Sequence, residues 1–536
     1  MSRRPRSGTA ATTLAVAVVT ALLVPTQLAA HAEVDAPPVP QPISATTAEH
    51  ALRVATAVMA GKSHSLSPTL ALRDLALKAD RLTGADRRHA EALLARPNQA
   101  TGSRDGFAAW KTREAAASRN GKGCSLDPQT PICVHWTKRS ADAPDPKDSD
   151  HDGVPNWAEV TLAEMEHVWD YEVNTLGFRK PMTDQRGSKD NDGVFFDVYL
   201  SDIGSRYYGY CAIDDSHNRR NYNFKDRSGY CVLDDDYAKS QFRAHSPREN
   251  LQVTAAHEFF HAIQFAYDAS EDLWFMEGGA AWIEDEVYDH VNDNRQYLAT
   301  SQFRHPRQPL DNNRGIGVYG TWGFLRYLSE RFGTEVIRRS WQRADGSPGG
   351  PDDYSLVALR HAVTSEGADL NKVLGTFGLV VADPNAFLSE GKQFPARTVD
   401  GFRLDRDRDS TKWRRYSLDH LSYAPIEFRP GDRVRRGDRL HISVDAPRRG
   451  THPEVRAMVV RRNGSVSGVR NVHLNRHGNG SIRIGFGDSH IRKVLLSMAN
   501  TSTDFRRCFS HSTSYSCHGG IPRDERQRYW FKAVLR

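Results

Sequence analysis

The chain reads as an α+β protein, and three observations predict that class. A long uninterrupted helical pattern lies near the middle, further helical stretches follow it, and after about residue 400 the pattern changes to short strands between Gly, Pro and Asn turns. The 536 residues leave room for two or three domains with sizeable cores. The expected organisation is a signal peptide at 1–32, a helical N-terminal segment at 33–120, a core at 121–395 and a β-rich accessory domain at 400–536.

The first element is the leader. Arg3, Arg4 and Arg6 precede an apolar run from Leu14 to Val24, and Ala30-His31-Ala32 supplies an A-x-A cleavage site before Glu33. Pro5 and Arg6 depart from the apolar residues that follow a twin-arginine signal, so the general secretory route is expected. No later run reaches the roughly eighteen apolar residues of a membrane helix, so no membrane span is expected. The six cysteines suit an oxidising compartment and fall into three close pairs, Cys124 with Cys133, Cys211 with Cys231, and Cys508 with Cys517. Disulfides between these neighbours are the simplest pairing. The net charge of +6 is spread along the chain in both signs, whereas a nucleic-acid binder gathers its basic residues in a patch. Nucleic acid is therefore not an expected partner.

After a Pro-rich tether at Ala36 to Pro42, Thr47 to Ala60 and Pro68 to Leu94 are helix-prone. The segment carries no motif, and a removable pro-segment, a helical cap or an extended arm all fit it.

Asp148-Ser149-Asp150-His151-Asp152-Gly153-Val154-Pro155-Asn156-Trp157-Ala158-Glu159 matches a calcium loop of the EF-hand type. Asp148, Asp150 and Asp152 take the first three ligand positions, Val154 offers a carbonyl, Asn156 acts through water and Glu159 closes the shell in bidentate fashion. An acidic surface turn is the alternative. Trp157 to Leu176 reads as the helix leaving the loop, with Met165, Trp169, Val173 and Leu176 on its apolar face. Pro144 and Pro146 precede the loop, so a structural calcium clamp is expected rather than a full helix-loop-helix sensor. Asp190-Asn191-Asp192-Gly193 forms a second acidic cluster without a terminal Glu, and Phe196 to Leu200 alternates as a strand does.

The central helix carries His257-Glu258-Phe259-Phe260-His261, an H-E-x-x-H motif. Ser246-Pro247-Arg248-Glu249 forms a capping box with Pro at the first helical position, and no Gly or Pro interrupts Leu251 to Tyr267. Val253, Ala256, Phe260, Ile263 and Tyr267 follow one helical stripe, and Thr254, His257, His261 and Gln264 follow another. Two histidines four apart converge on one ion, and Glu258 beside them can take a proton from metal-bound water. The arrangement suggests a zinc hydrolase; the bland alternative is a pair of satisfied core histidines. A third ligand is needed, and Glu271, Asp272, Glu277 and Glu284 are the nearby carboxylates. Trp274 to Glu284 reads as a second helix with Glu277 and Glu284 on the same side.

At this point the sequence resembles the gluzincins, in which a helical glutamate downstream of H-E-x-x-H completes the zinc shell. The W-x-x-E-G-x-A-x-x-x-E pattern is most similar to the zinc aminopeptidase branch. The resemblance implies a zincin-like core, Glu277 as third zinc ligand and Glu284 as an acid that orients an imidazole. It also implies that Tyr319, in Tyr319-Gly320-Thr321-Trp322-Gly323-Phe324-Leu325, donates to the oxyanion. A packed aromatic is the alternative for Tyr319. No G-x-M-E-N stretch holds a substrate amino terminus, which favours an endopeptidase over an aminopeptidase. More broadly, Cys124 to Phe332 is similar to a group of secreted bacterial metalloproteases that combine an Asp-rich loop, paired cysteines, A-A-H-E-F-F-H and W-F-M-E.

Thr321 to Arg339 and Ser355 to Leu379 are mainly helical, as a helical lobe closing a gluzincin cleft would be. His441 to Val444, Val455 to Val460, Val494 to Met498 and Tyr529 to Leu535 read as strands of a β-sandwich-like domain that contains the Cys508–Cys517 loop. The expected activity is hydrolysis of protein or peptide substrates by a secreted enzyme with Zn2+ and Ca2+. A calcium-stabilised extracellular binding protein with a structural or silent zinc site is the competing reading.

Overall fold

The computed structural model describes residues 48–64, 66–97, 123–182, 195–204, 207–214 and 224–536. The leader, the Pro-rich tether and the Asp190–Gly193 cluster lie outside these residues. The N-terminal segment forms three helices, α1 (Ala48–Met59), α2 (Pro68–Ala76) and α3 (Gly84–Leu94). Helix α2 has buried residues on every side, including Leu70, Leu72 and Leu75.

A four-stranded sheet follows, built from β1 (Ile132–His135), β2 (Phe196–Ser201), β3 (Gly209–Ile213) and β4 (Gly229–Asp234), in the order β1-β2-β4-β3. The first two pairings are parallel, and β3 runs antiparallel to β4 at the edge. All four strands are buried on both faces. Helix α4 (Asn156–Trp169) and the central helix α5 (Pro247–Asp268) cover one face, where Phe259 meets Phe196 edge-on at 5.5 Å and Trp169 at 5.3 Å. On the other side His135 stacks on Tyr199 at 4.7 Å, and Arg96 pairs with Asp197 and Asp214.

Helix α5 begins where the capping box predicts. The Ser246 hydroxyl accepts from Glu249 N, and Glu249 Oε2 accepts from Ser246 N at 2.8 Å. Helix α6 (Leu273–Val287) packs against α5, followed by α7 (Trp322–Phe332), α8 (Glu335–Arg343), α9 (Ser355–Ser365) and α10 (Leu370–Ala382). Two expected long helices are each broken in two, at Gly333 (φ 87°) and Gly367 (φ 71°), because a left-handed residue ends an α-helix.

Past residue 400 two sheets share an apolar core. One has the order β10-β9-β12-β7-β5, from β5 (Asp400–Leu404), β7 (Ser422–Pro430), β9 (Pro453–Arg461), β10 (Arg470–Asn471) and β12 (Ile491–Asn500). The other has the order β11-β8-β15-β6, from β6 (Arg414–Leu418), β8 (Arg439–Asp445), β11 (Asn479–Gly485) and β15 (Gln527–Leu535). Phe428 of β7 meets Phe531 of β15 edge-on at 5.6 Å, which places the shared core between the sheets. The four expected strands are β8, β9, β12 and β15. Strand β7 carries Pro425 and Pro430, which demote a strand in a sequence reading, and β5 and β6 are rich in charge. A short ribbon of β13 (Phe505–Arg506) and β14 (Ile521–Pro522) flanks the last disulfide loop.

Three disulfides join Cys124 to Cys133, Cys211 to Cys231 and Cys508 to Cys517, the neighbour pairing that the spacing suggested. They belong to an oxidising compartment. Among the described residues no helix is long and apolar enough to cross a membrane.

Candidate metal centre and its cleft

Helix α5 presents His257 and His261 on one face, with ring centroids 4.9 Å apart, and α6 brings Glu277 opposite them. Glu277 Oε2 lies 3.3 Å from His257 Nε2 and 3.5 Å from His261 Nε2. Donors bound at about 2.0–2.1 Å to one tetrahedral ion stand about 3.3–3.4 Å apart. Among the described residues His261 Nε2 and Glu277 Oε2 are also buried without a hydrogen-bond partner, a costly arrangement unless a cation receives them. The three side chains therefore fit a divalent ion.

Each imidazole is braced from behind. His257 Nδ1 donates to Glu284 Oε1 at 2.6 Å, and His261 Nδ1 donates to Gln264 Oε1 at 2.7 Å. Gln264 Nε2 in turn donates to Met276 O at 2.9 Å, which ties α5 to α6 beside Glu277. These bonds fix the protons on Nδ1 and leave both Nε2 lone pairs for the ion. Burial pushes Glu284 up to about 8, while the contact with His257 works in the opposite direction. Burial opposes the charged form of Glu277, yet the two histidines hold its carboxyl below the usual range. The role of Gln264 was not assigned from sequence, although its place three residues after His261 was the available signal.

Other nearby acids are engaged elsewhere. Glu271 Oε2 accepts from Asp272 N and Ser355 N, both at 3.1 Å. Asp272 stands at the N-terminal boundary of α6, but its carboxylate turns away from the helix and accepts from Ser355 Oγ at 2.6 Å and from the backbone N–H groups of Cys517 and His518 at 3.0 Å. The Cys508–Cys517 loop, expected inside the β-rich domain, thus docks on the helix that bears Glu277. Trp274 Nε1 adds a bond to Ser516 Oγ at 2.8 Å.

Glu258 sits next to the histidines in the cleft and is 7 % exposed. The cross-strand Cys211–Cys231 bridge packs against its carbonyl oxygen, with Cys211 Sγ at 2.9 Å. Tyr319 lies in a short 3-10 turn ahead of α7, stacked on Tyr297 at 4.7 Å and 5.9 Å from the His257 ring. Burial, reinforced by Glu277 and Tyr297, holds its hydroxyl protonated. Gly278 lets this turn seat on α6, since a Cβ there would meet Thr321 Oγ1 at 2.1 Å.

Two cavities flank the centre. One of about 200 Å³ is lined by Leu66, Pro68, Glu277, Ile316 and Tyr319. The other, of about 170 Å³, is lined by Pro68, Gly209, His257, Glu258 and Tyr319.

The helix leaving the acidic loop differs from expectation. After Trp169 it widens into a π-helical turn, Asp170–Thr175. The wider turn leaves Val173 and Leu176 only partly buried and rotates Glu172 fully inward. Among the described residues Glu172 has no hydrogen-bond partner at either oxygen, and burial raises its pKa well above the carboxylate range, with His257 counteracting.

In the loop itself, carboxylate oxygens of Asp148, Asp150 and Asp152 come within 4.8 Å of one another. Asp148 accepts from His151 N and Gly153 N, both at 2.8 Å, and Asp152 accepts from Val154 N at 2.7 Å. Limited burial and the charges of Asp150, Asp152 and Asp148 raise the Glu159 pKa, but its carboxylate, expected to close the shell, is not among the three that converge. Asn156 instead closes the loop on Ser149, accepting from its N–H at 2.9 Å and donating to its hydroxyl at 2.8 Å. A further group, Asp202, Asp234 and Asp235, gathers at the C-terminal ends of β2 and β4 and was not recognised in the sequence. Burial pushes Asp234 up to about 7, and burial with Asp234 and Asp236 pushes Asp235 up to about 8.

No protein-family model matches the chain, and no curated protein matches it. Among solved structures, it is similar to a mutant of PliG-Ec, a periplasmic inhibitor of g-type lysozyme from Escherichia coli, at 11% identity and TM-score 0.15, over 26% of this chain and 98% of that one. It is also similar to CorA, a surface-associated copper-binding protein of Methylomicrobium album BG8, at 9% identity and TM-score 0.16, over 26% and 99%. A family GH115 4-O-methyl-alpha-glucuronidase follows at 8% identity and TM-score 0.13, over 54% and 38%. Likenesses this slight carry no conclusion about fold or activity.

Proposed function

We propose that the chain is a secreted zinc metallopeptidase of the gluzincin kind, with a zincin-like core, that cuts internal peptide bonds. The observation that carries this reading is the convergence of His257 Nε2, His261 Nε2 and Glu277 Oε2, with two of these atoms buried and unpartnered beside a glutamate outside the ligand set. A structural site has no use for that glutamate. A bound zinc ion supplies Lewis acidity and an acidified water.

The chain's own groups do the rest. Edge strand β3 offers backbone N–H groups along which an extended peptide can lie. Glu258 takes the proton of the water that adds to the scissile carbonyl carbon. It then delivers that proton to the amide nitrogen as the C–N bond breaks, so acid and amine are the products. Tyr319 donates its hydroxyl to the carbonyl oxygen as negative charge develops there. Glu284 and Gln264 hold the imidazoles in the required tautomer. Calcium in the Asp148–Glu159 loop would pin the start of α4. The signal-like leader and the disulfides support secretion.

Glu258→Gln tests the reading. It is expected to keep one zinc per chain and to lose hydrolysis of an internally quenched peptide by a factor of about 100 to 10,000. Undiminished hydrolysis at equal zinc content would remove Glu258 from the reaction.

A further inference from the structure

Resting on that reading, we infer that the N-terminal helices are an intramolecular inhibitor, and that Ser67-Pro68-Thr69 holds the cleft shut. These residues come from a segment without a motif, yet they bond Glu258 and Glu277 and line the cavity beside His257 and Tyr319. The Thr69 hydroxyl donates to Glu258 Oε2 at 2.7 Å. Thr69 Oγ1 in turn accepts from Cys211 N at 2.9 Å. Cys211 lies on edge strand β3, so Thr69 takes the donor that a substrate carbonyl would use and the base that a substrate's attacking water would use. The Ser67 hydroxyl donates to Glu277 Oε1 at 2.5 Å, and Ser67 lines both cavities together with Tyr319.

Ser67 meets Oε1, whereas Oε2 faces the histidines. The plug therefore leaves the ligand atoms free to hold an ion while it blocks approach to them. Ser67 and Pro68 line both cavities, so the segment splits one cleft into two spaces of about 200 and 170 Å³. An extended peptide cannot cross Glu258 while the segment remains.

The segment is fastened to both walls. Arg73 Nη1 donates to Glu271 O at 3.0 Å on the α6 side, and Tyr207 donates to Val58 O on the sheet side. Ser67 also caps α2 by accepting from Leu70 N at 3.2 Å, with Pro68 at the first helical position. That cap orders the plug before it meets the cleft. The covalent link to the rest of the chain keeps its effective concentration high. Activity then requires displacement of this segment.

Thr69→Asp in the full chain tests the inference. It sets a carboxylate against Glu258 and is well tolerated in the first turn of a helix. The milder double variant S67A/T69A removes the hydroxyls without adding charge. Each zinc-loaded protein is measured in two ways, by hydrolysis of an internally quenched peptide and by the rate at which dipicolinate extracts zinc. Both rates are expected to rise at least about tenfold over the unaltered chain in T69D, and by less in S67A/T69A. Faster extraction with no hydrolysis in any variant supports the plug and counts against the peptidase reading. Unchanged rates in both assays, in variants whose circular dichroism matches the unaltered chain, would overturn the inference and make the helices a permanent wall.

Discussion

The His257–His261–Glu277 group and the Asp148–Glu159 loop bring polar side chains together by opposite means. In the loop, carboxylates from one short stretch are aimed by the loop's own N–H groups and remain largely exposed. In the cleft, donors from two helices are buried and each imidazole is aimed by a distant or neighbouring side chain. Local backbone suffices where water stabilises the charges. Where water is excluded, each donor needs a partner behind it, because an unsatisfied buried group is costly.

The sharpest way to break the comparison is at the buried ligands. His261→Ala or Glu277→Gln is expected to lower zinc affinity by well over the roughly 10–100-fold range of outer partners. Competition with a chromophoric chelator measures it. Gln264→Ala and Glu284→Gln are expected to fall within that range, and unchanged affinity would show the braces to be idle. At the loop, Asp150→Ala is expected to leave zinc affinity unchanged and to abolish the melting-temperature rise produced by calcium. That rise corresponds to about 2.7 kcal/mol when calcium stands at about 100 times its Kd.

The last expected effect concerns the junction with the β-rich region. His420 lies between Asp311, 2.9 Å from Nε2, and Glu525. Burial opposes its charge, but these two acids raise its pKa from 6.5 to about 10. The folded state therefore holds a proton that the unfolded chain releases above pH 6.5, and this contribution is lost as pH rises toward 10. Melting temperature is expected to fall across that window, and less steeply in His420→Gln.

The clustering of Asp148, Asp150 and Asp152 was legible in sequence because the three are nearly contiguous and their spacing is the geometry, whereas Asn156 and Glu159 depend on how the loop closes. The His pair and Glu258 were legible for a similar reason, since a helix converts a four-residue spacing into one face. Gln264 needed the orientation of His261 before it had a meaning, and Glu172 needed a π turn that no apolar period announces. Ser67 and Thr69 were hidden most completely. Their partners lie 210 and 189 residues away, and only the packing of α2 into the cleft joins them. Strand β7 was obscured by Pro425 and Pro430, and its neighbours by their charge.

X-ray absorption at the zinc edge of the full chain tests the central claim most directly. Two imidazole nitrogens and carboxylate oxygen at about 2.0–2.1 Å are predicted, with loss of the imidazole signature in His257→Ala/His261→Ala. An all-oxygen shell, or one that survives the double substitution, would contradict the assignment.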